Sequence, residues 1–170
     1  HCAKLKATEV RFDDIGVGAG IKGVWDAMAK NDEGDNQLPF VAIPVNGGDS
    51  PTETVWPDGK KSKEKFLNLR AEGWWNLRCR FEKTYEHVMW LNGQPGGKMH
   101  SLEDLISLPR NHANLYAELS TPLVEYTDRG KVRLESKAKM KSRGVKSPDL
   151  ADALYLAYCP IQAKRRFWFV

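Results

Sequence analysis

The sequence predicts an α/β fold in which a sheet with parallel pairing is flanked by helices. Three segments near its start carry that prediction. Thr8 to Asp14 alternates like a half-buried strand, Ile21, Val24, Trp25 and Met28 recur at helical spacing, and Phe40 to Val45 is a short apolar run of the kind a buried strand needs. Strand, helix and strand in that order give parallel pairing, because parallel neighbours need a crossover and the helix supplies it. With 170 residues, 41% of them hydrophobic, and six tryptophans, the chain has enough apolar material for one core.

Taken in order, Val10 and Phe12 alternate against Glu9 and Arg11, and the strand ends at Asp13 and Asp14 before a glycine-rich turn. Asn31 to Gln37 is polar and predicts a loop. Asn46 to Ser62, rich in Gly, Pro, Asp and Thr, predicts a longer exposed one. Lys63 to about Glu86 predicts the longest helix, with Phe66, Leu69, Trp74, Leu77 and Phe81 on its core face despite Gly73. Leu91 to Met99 is broken by glycines and a proline and reads as surface loop. Ser101 opens a capped short helix, Asn111 is placed to cap another through Leu115 and Leu119, and Gly130 closes a turn before an alternating strand, Lys131 to Lys137. The final helix starts at Ser147 as N-cap and Pro148 as first helical residue, which puts Asp149 and Asp152 in or just past the first turn. Leu150, Leu154, Ala157 and Tyr158 form its expected buried stripe, with both acids on the adjacent face.

Composition excludes several classes. Twenty-six basic against twenty-two acidic residues leave only +4, so any nucleic-acid site has to come from the distribution of charge. Three cysteines, far apart and without a Cys-x-x-Cys pair, argue against a disulfide framework or a structural zinc and favour a reduced, cytoplasmic setting. No apolar run approaches the length of a membrane span. The chain opens His1-Cys2-Ala3-Lys4 without an initiator methionine and reads as a piece of a longer protein.

Carboxylates in two distant places carry the chemistry. Asp149 and Asp152 lie three residues apart on one helix face, where the helix N-terminus favours their ionised form. The plain reading is acids placed for the helix dipole. Asp13 and Asp14 end a strand, at the sheet edge where α/β proteins bind ligands, and the alternation of strand side chains allows one of the two to face a site. The plain reading there is an acid pair in a solvated turn. Together the two groups supply hard oxygen ligands suited to magnesium, in the manner of two-metal phosphodiesterases. Immediately upstream of Asp149, Lys137, Lys139, Lys141, Arg143 and Lys146 form a basic run without an acid, suited to phosphate or simply a solvated loop.

Other motifs weigh less. Gly18-Ala19-Gly20-Ile21-Lys22-Gly23 matches Gly-x-Gly-x-x-Gly, but Asp13 and Asp14 would set like charge against a pyrophosphate, and the glycines find a use in a tight turn and close packing. A nucleotide-cofactor domain is therefore a lesser reading. Gly59-Lys60-Lys61-Ser62 has only the tail of a phosphate-binding loop. Trp74 and Trp75 read as packing before base stacking, and His87, His100 and His112 as surface histidines without metal-ligand spacing.

Four segments resemble the nuclease domain of tailed-phage terminase large subunits. These are Phe12 to Gly20, Phe66 to Trp75, Leu134 to Lys137, and Lys146 to Leu154. The resemblance implies an RNase H-like, RuvC-resembling mixed sheet flanked by helices, and cleavage of duplex DNA with two divalent cations, Mg2+ or Mn2+. It implies Asp13 as strand-end carboxylate ahead of Asp14, Asp152 as C-terminal catalytic carboxylate and Asp149 as neighbouring metal ligand, and the basic run beside them then places Lys137, Lys139, Lys141, Arg143 and Lys146 on the DNA. It also implies the portal protein and small terminase subunit as partners, in the cytoplasm of a bacterial host. Such domains carry a further essential Asp on an earlier strand and follow an ATPase domain, so residues 1–170 are expected to be one partial nuclease domain lacking both. A second reading follows, a non-catalytic DNA-binding or motor-docking piece.

Overall fold

A computed structural model describes residues 6–15, 17–28 and 40–161. The strand β1 (Glu9–Asp13) lies parallel to β2 (Val41–Val45), from Glu9 opposite Val41 to Asp13 opposite Val45. The helix α1 (Val17–Met28) precedes β2 and sets Trp25 edge-on between Phe12 and Phe40, at 4.9 and 5.9 Å. The expected β-α-β order is present, and the expected loop from Asn31 to Gln37 lies outside the described residues. β2 is only half buried, with Val41 exposed while Ile43 and Val45 are covered. The glycine motif falls inside α1 rather than in a turn before it, and a Cβ at Gly20 or Gly23 would meet nothing within 4 Å. The expectation that these glycines serve a tight turn and close packing is thereby corrected.

One long helix from Lys63 is replaced by two. After α2 (Ser62–Lys65) the backbone extends at Phe66, and α3 (Leu69–Leu91) begins three residues later. The break has a physical cause: Phe66 is fully buried with Ala71 and Val132 in a small core flanked by Trp56 and Trp75, and Leu67 N donates to Val132 O at 2.9 Å. The first amides of α3 then all find acceptors. Leu69 N bonds Asp49 O at 2.8 Å, Arg70 N bonds Gly47 O at 2.9 Å, and the Asn68 side chain accepts from Ala71 N at 3.0 Å.

The far end of α3 is tied back by the segment after it. A 3-10 turn at Leu102–Asp104 receives Arg80, which donates to Glu103 O at 2.6 Å, and Lys83, which pairs with Asp104 at 2.9 Å. His87 and His100 take part in this docking rather than sitting free on the surface. His100 N donates to His87 Nδ1 at 3.0 Å, and the His100 ring meets Glu86 at 2.7 Å. The helix α4 (Ala113–Ser120) starts from His112, not Asn111.

A second small sheet follows. β3 (Val124–Tyr126) pairs antiparallel with β4 (Val132–Leu134) around a turn in which Gly130 takes φ +72°, a left-handed conformation that favours glycine. Among the described residues the strands make two two-stranded sheets rather than one continuous mixed sheet. The basic run is largely helical. α5 (Lys137–Ser142) is capped by Ser136, which accepts from Lys139 N at 3.2 Å, and is anchored by fully buried Met140.

The last helix, α6 (Asp149–Tyr158), departs from expectation at both cap and face. Ser147 makes no cap. Glu118 of α4 instead accepts from Leu150 N at 2.7 Å and Ala151 N at 3.0 Å, a remote carboxylate satisfying the free amides of a helix start. The buried face is Ala151, Tyr155 and Cys159, while Leu150 is exposed. The stripe is rotated by one residue because Ala151 and Tyr155 pack on α3, where Gly73 leaves room. A Cβ there would lie 2.7 Å from the Tyr155 ring. Val45, Leu69, Trp74, Leu77, Ile106, Ala151, Tyr155 and Cys159 make the main core. Among the described residues no helix is long and apolar enough to cross a membrane.

Candidate functional site

Where β1 and β2 end, the chain opens into a cleft of about 550 Å³. This is the carboxyl edge of the parallel pair, the usual ligand side of such sheets. Asp13 enters from β1, Gly47 and Gly48 from the turn after β2, and Arg70 from the start of α3. Glu125 and Arg133 enter from the hairpin, Lys137 and Lys139 from α5, and Asp152 and Tyr155 from α6. Gly47 lets the backbone pass close by, since a Cβ would sit 3.1 Å from the Tyr155 hydroxyl and 3.2 Å from Arg70 Cβ and would crowd both. Arg11 fixes β1 against α6 by donating to Cys159 O at 2.5 Å, a cation at a helix C-terminus.

The structure brings Asp13 and Asp152 into this one cleft from opposite ends of the chain. Asp13 is exposed, and its Oδ1 accepts from Ile15 N at 3.1 Å. Asp14, next along the strand, does not line the cleft, as the alternation requires. Asp152 meets Arg70 Nη2 at 3.4 Å on one oxygen and Lys137 Nζ at 2.9 Å on the other. Asp149 is not brought to them; it is exposed and lies off the lining. Asp152 shares its helix face with the lining residues Tyr155 and Leu156, three and four positions on, while Asp149 stands nearly a turn earlier.

The five basic residues divide three ways. Lys137 and Lys139 line the cleft, and Lys139 joins Arg133 on Glu125, at 2.6 and 2.7 Å. These contacts, that of Lys139 foremost, hold the Glu125 carboxyl below the usual range. Arg143 turns inward to buried Glu135, Nε to Oε1 at 2.8 Å and Nη2 to Oε2 at 2.6 Å. That pairing lowers the carboxyl pKa of Glu135 and raises that of the guanidinium. Lys141 and Lys146 are exposed, off the cleft and without an ion pair among the described residues.

Sequence reading missed Arg70, Glu125, Arg133 and Tyr155. Only Tyr155 left a signal, being three residues past Asp152 and so on a neighbouring stretch of helix surface. It also missed Glu72, a fully buried carboxylate that accepts from Thr52 N at 2.7 Å, Ser62 Oγ at 2.7 Å and the Thr52 hydroxyl. These bonds pin the segment after Gly48 onto α3 and so hold one cleft wall in place. Among the described residues no group of three or more His, Cys, Asp or Glu is placed to hold a metal ion. Asp13 and Asp152 offer two hard carboxylates, a donor set that fits one hydrated divalent cation, since magnesium commonly binds through one or two carboxylates plus phosphate oxygens.

No family model and no curated protein matches this chain. Solved structures do. The nuclease domain of the large terminase subunit of bacterial virus Sf6 superposes with a TM-score of 0.77 at 26% identity, over 94% of this chain and 69% of that one. This chain resembles a large-terminase nuclease domain. A lysine-to-alanine mutant of the same Sf6 subunit, solved with calcium, matches with a TM-score of 0.77 at 26% identity, over 94% of this chain and 68% of the other. The mutant nuclease domain with manganese gives 0.76 and 26% over 94% and 69%.

Proposed function

We propose that this chain is a metal-dependent endonuclease domain of a phage DNA-packaging terminase, RNase H-like in fold, hydrolysing phosphodiesters of duplex DNA. One observation carries the reading. In a fold similar to a terminase nuclease, Asp13 and Asp152 line a single cleft whose other charged groups are mostly cationic. In that cleft the two carboxylates would hold a divalent cation, Mg2+ or Mn2+, which when bound polarises a phosphoryl oxygen and lowers the pKa of bound water. A second cation needs further anionic ligands, which the phosphate of the substrate would supply. Arg70 and Lys137, both on Asp152, put positive charge where a phosphate enters, and Lys139 and Arg133 extend it along the cleft. Solved Sf6 relatives with calcium and with manganese support the choice of a divalent ion.

In this reading the partners are double-stranded DNA and, through the terminase likeness, a portal protein and a small terminase subunit, in the bacterial host cytoplasm. Incubating supercoiled plasmid with the chain and Mg2+ or Mn2+ tests it. Nicked and linear products that vanish with a chelator and in Asp152→Asn support the enzyme. Metal-independent DNA binding without cutting leaves a second reading, a non-catalytic DNA-binding or motor-docking module. The lack of a three-ligand cluster among the described residues favours that alternative.

A further inference from the structure

Among the described residues Tyr155 is the one cleft residue whose polar atom has no assigned work. Its side chain is held at both ends by glycines. The ring presses on Gly73, stacks on Trp74 at 6.3 Å with 24° between planes, and the hydroxyl reaches the backbone at Gly47. The residue is only 4% exposed. Among the described residues its hydroxyl has no hydrogen-bond partner, although it belongs to the lining of the cleft with Asp13, Arg70 and Asp152. A phenylalanine would satisfy Trp74, Gly73 and Cys159 equally well. Among the described residues the fully buried side-chain atoms without a partner are Trp74 Nε1 and Arg80 Nε, so the Tyr155 oxygen opens on the cleft, where a donor fixed in direction can meet a ligand group. Burial among apolar groups and the nearby carboxylates holds the phenol protonated, hence a donor.

We propose, resting on the nuclease reading above, that the Tyr155 hydroxyl is a substrate-binding group that donates a hydrogen bond to a non-bridging oxygen of the DNA phosphate seated in the cleft. Three features favour phosphate over the neighbouring carboxylates as acceptor. Asp152 already has Arg70 and Lys137, Asp13 has the Ile15 amide, and the cleft's cations assemble around the same space. A neutral donor fixed between two glycines adds direction to a site whose attraction is otherwise carried by flexible charges.

The test is Tyr155→Phe, compared with wild type by thermal melting, by binding of a short blunt duplex in Ca2+ across a salt series, and by plasmid cleavage in Mn2+. The expected result is an unchanged or higher Tm, since only an unpaired hydroxyl is lost, with duplex affinity down about tenfold. The log–log salt slope should not move, because no charge is removed. Cleavage should fall at low DNA concentration and recover partly at saturation. A lower Tm would assign the hydroxyl to a structural bond and overturn the proposal, as would wild-type affinity in Tyr155→Phe. Wild-type protein that binds the duplex yet never cuts would sink the nuclease reading alone, and the affinity ratio would still decide Tyr155.

Discussion

The two walls of the cleft hold similar residue types and differ in how their charge is balanced. On the hairpin and α5 side, Glu125 is matched by Arg133 and Lys139, residues within fifteen positions of it in the chain. On the β1 and α6 side, Asp152 draws Arg70 and Lys137 from two other elements, and Asp13 has, among the described residues, only a backbone amide. The first wall is a locally neutralised surface suited to guiding a polyanion. The second adds the exposed Asp13 carboxylate, charge that a cation can take up, and that asymmetry separates chemistry from positioning within one cleft.

Replacing the acid wall's charge should give the largest effect. Asp13→Asn and Asp152→Asn should each lower metal-dependent plasmid cutting by more than about a hundredfold, since carboxylate ligation contributes several kcal/mol to such catalysis. Asp149→Asn should stay within about threefold. Equal losses at all three positions would erase the distinction between cleft and helix start.

Next in size comes the support behind the hairpin wall. Arg143 lowers the pKa of Glu135, so the pair stabilises the fold above the ordinary carboxyl value of 4.5, and that stability is lost as pH falls through the depressed pKa. Arg143→Met should lower Tm at neutral pH and flatten its decline under acid. Melting curves between neutral pH and about pH 3 check this. An acid limb identical to wild type would mean that the pair contributes nothing to folding.

Two smaller changes act on the acid wall through the seating of α6. Gly73→Ala should cost about 1–3 kcal/mol, because the new Cβ meets the Tyr155 ring at 2.7 Å and the ring is trapped against Trp74. Glu118→Ala, which strips the amides of Leu150 and Ala151 of their acceptor, should cost about 1 kcal/mol, as loss of a helix cap does. Denaturant unfolding measures both. A neutral Gly73→Ala would show that α6 can shift, and the placement of Asp152 would then not depend on that contact.

The smallest effect sharpens the hairpin side. Glu125→Gln frees Lys139 and Arg133, so duplex affinity in Ca2+ should rise a few fold and the salt slope should steepen by about one. No change would place the DNA path elsewhere.

Much of this molecule is written in local pattern. The alternation of Val10 and Phe12, the periodicity of α1 and the apolar run of β2 specify a parallel unit without reference to the rest of the chain. The acids at Asp13 and Asp152 are visible as chemistry for the same reason, since a strand end and a helix start are local features. What tertiary contacts decided is which residues face what. Phe66 leaves the helix its periodicity predicts because Val132 and Trp75 bury it fully, and that burial outweighs continued helical hydrogen bonding. Ser147 gives up the cap of α6 to Glu118, a residue on α4. Arg143 belongs by sequence to a phosphate-binding run, yet buried Glu135 claims it, because a carboxylate removed from water needs a charged partner more than an exposed arginine needs solvent. Sequence alone therefore determined the elements and the candidate acids. Only the packing of α6 on α3 through Gly73 and of β1 on α6 through Arg11 decided that Asp13, Asp152 and Tyr155 share a cleft while Asp149 does not, because side-chain facing depends on partners far away in sequence.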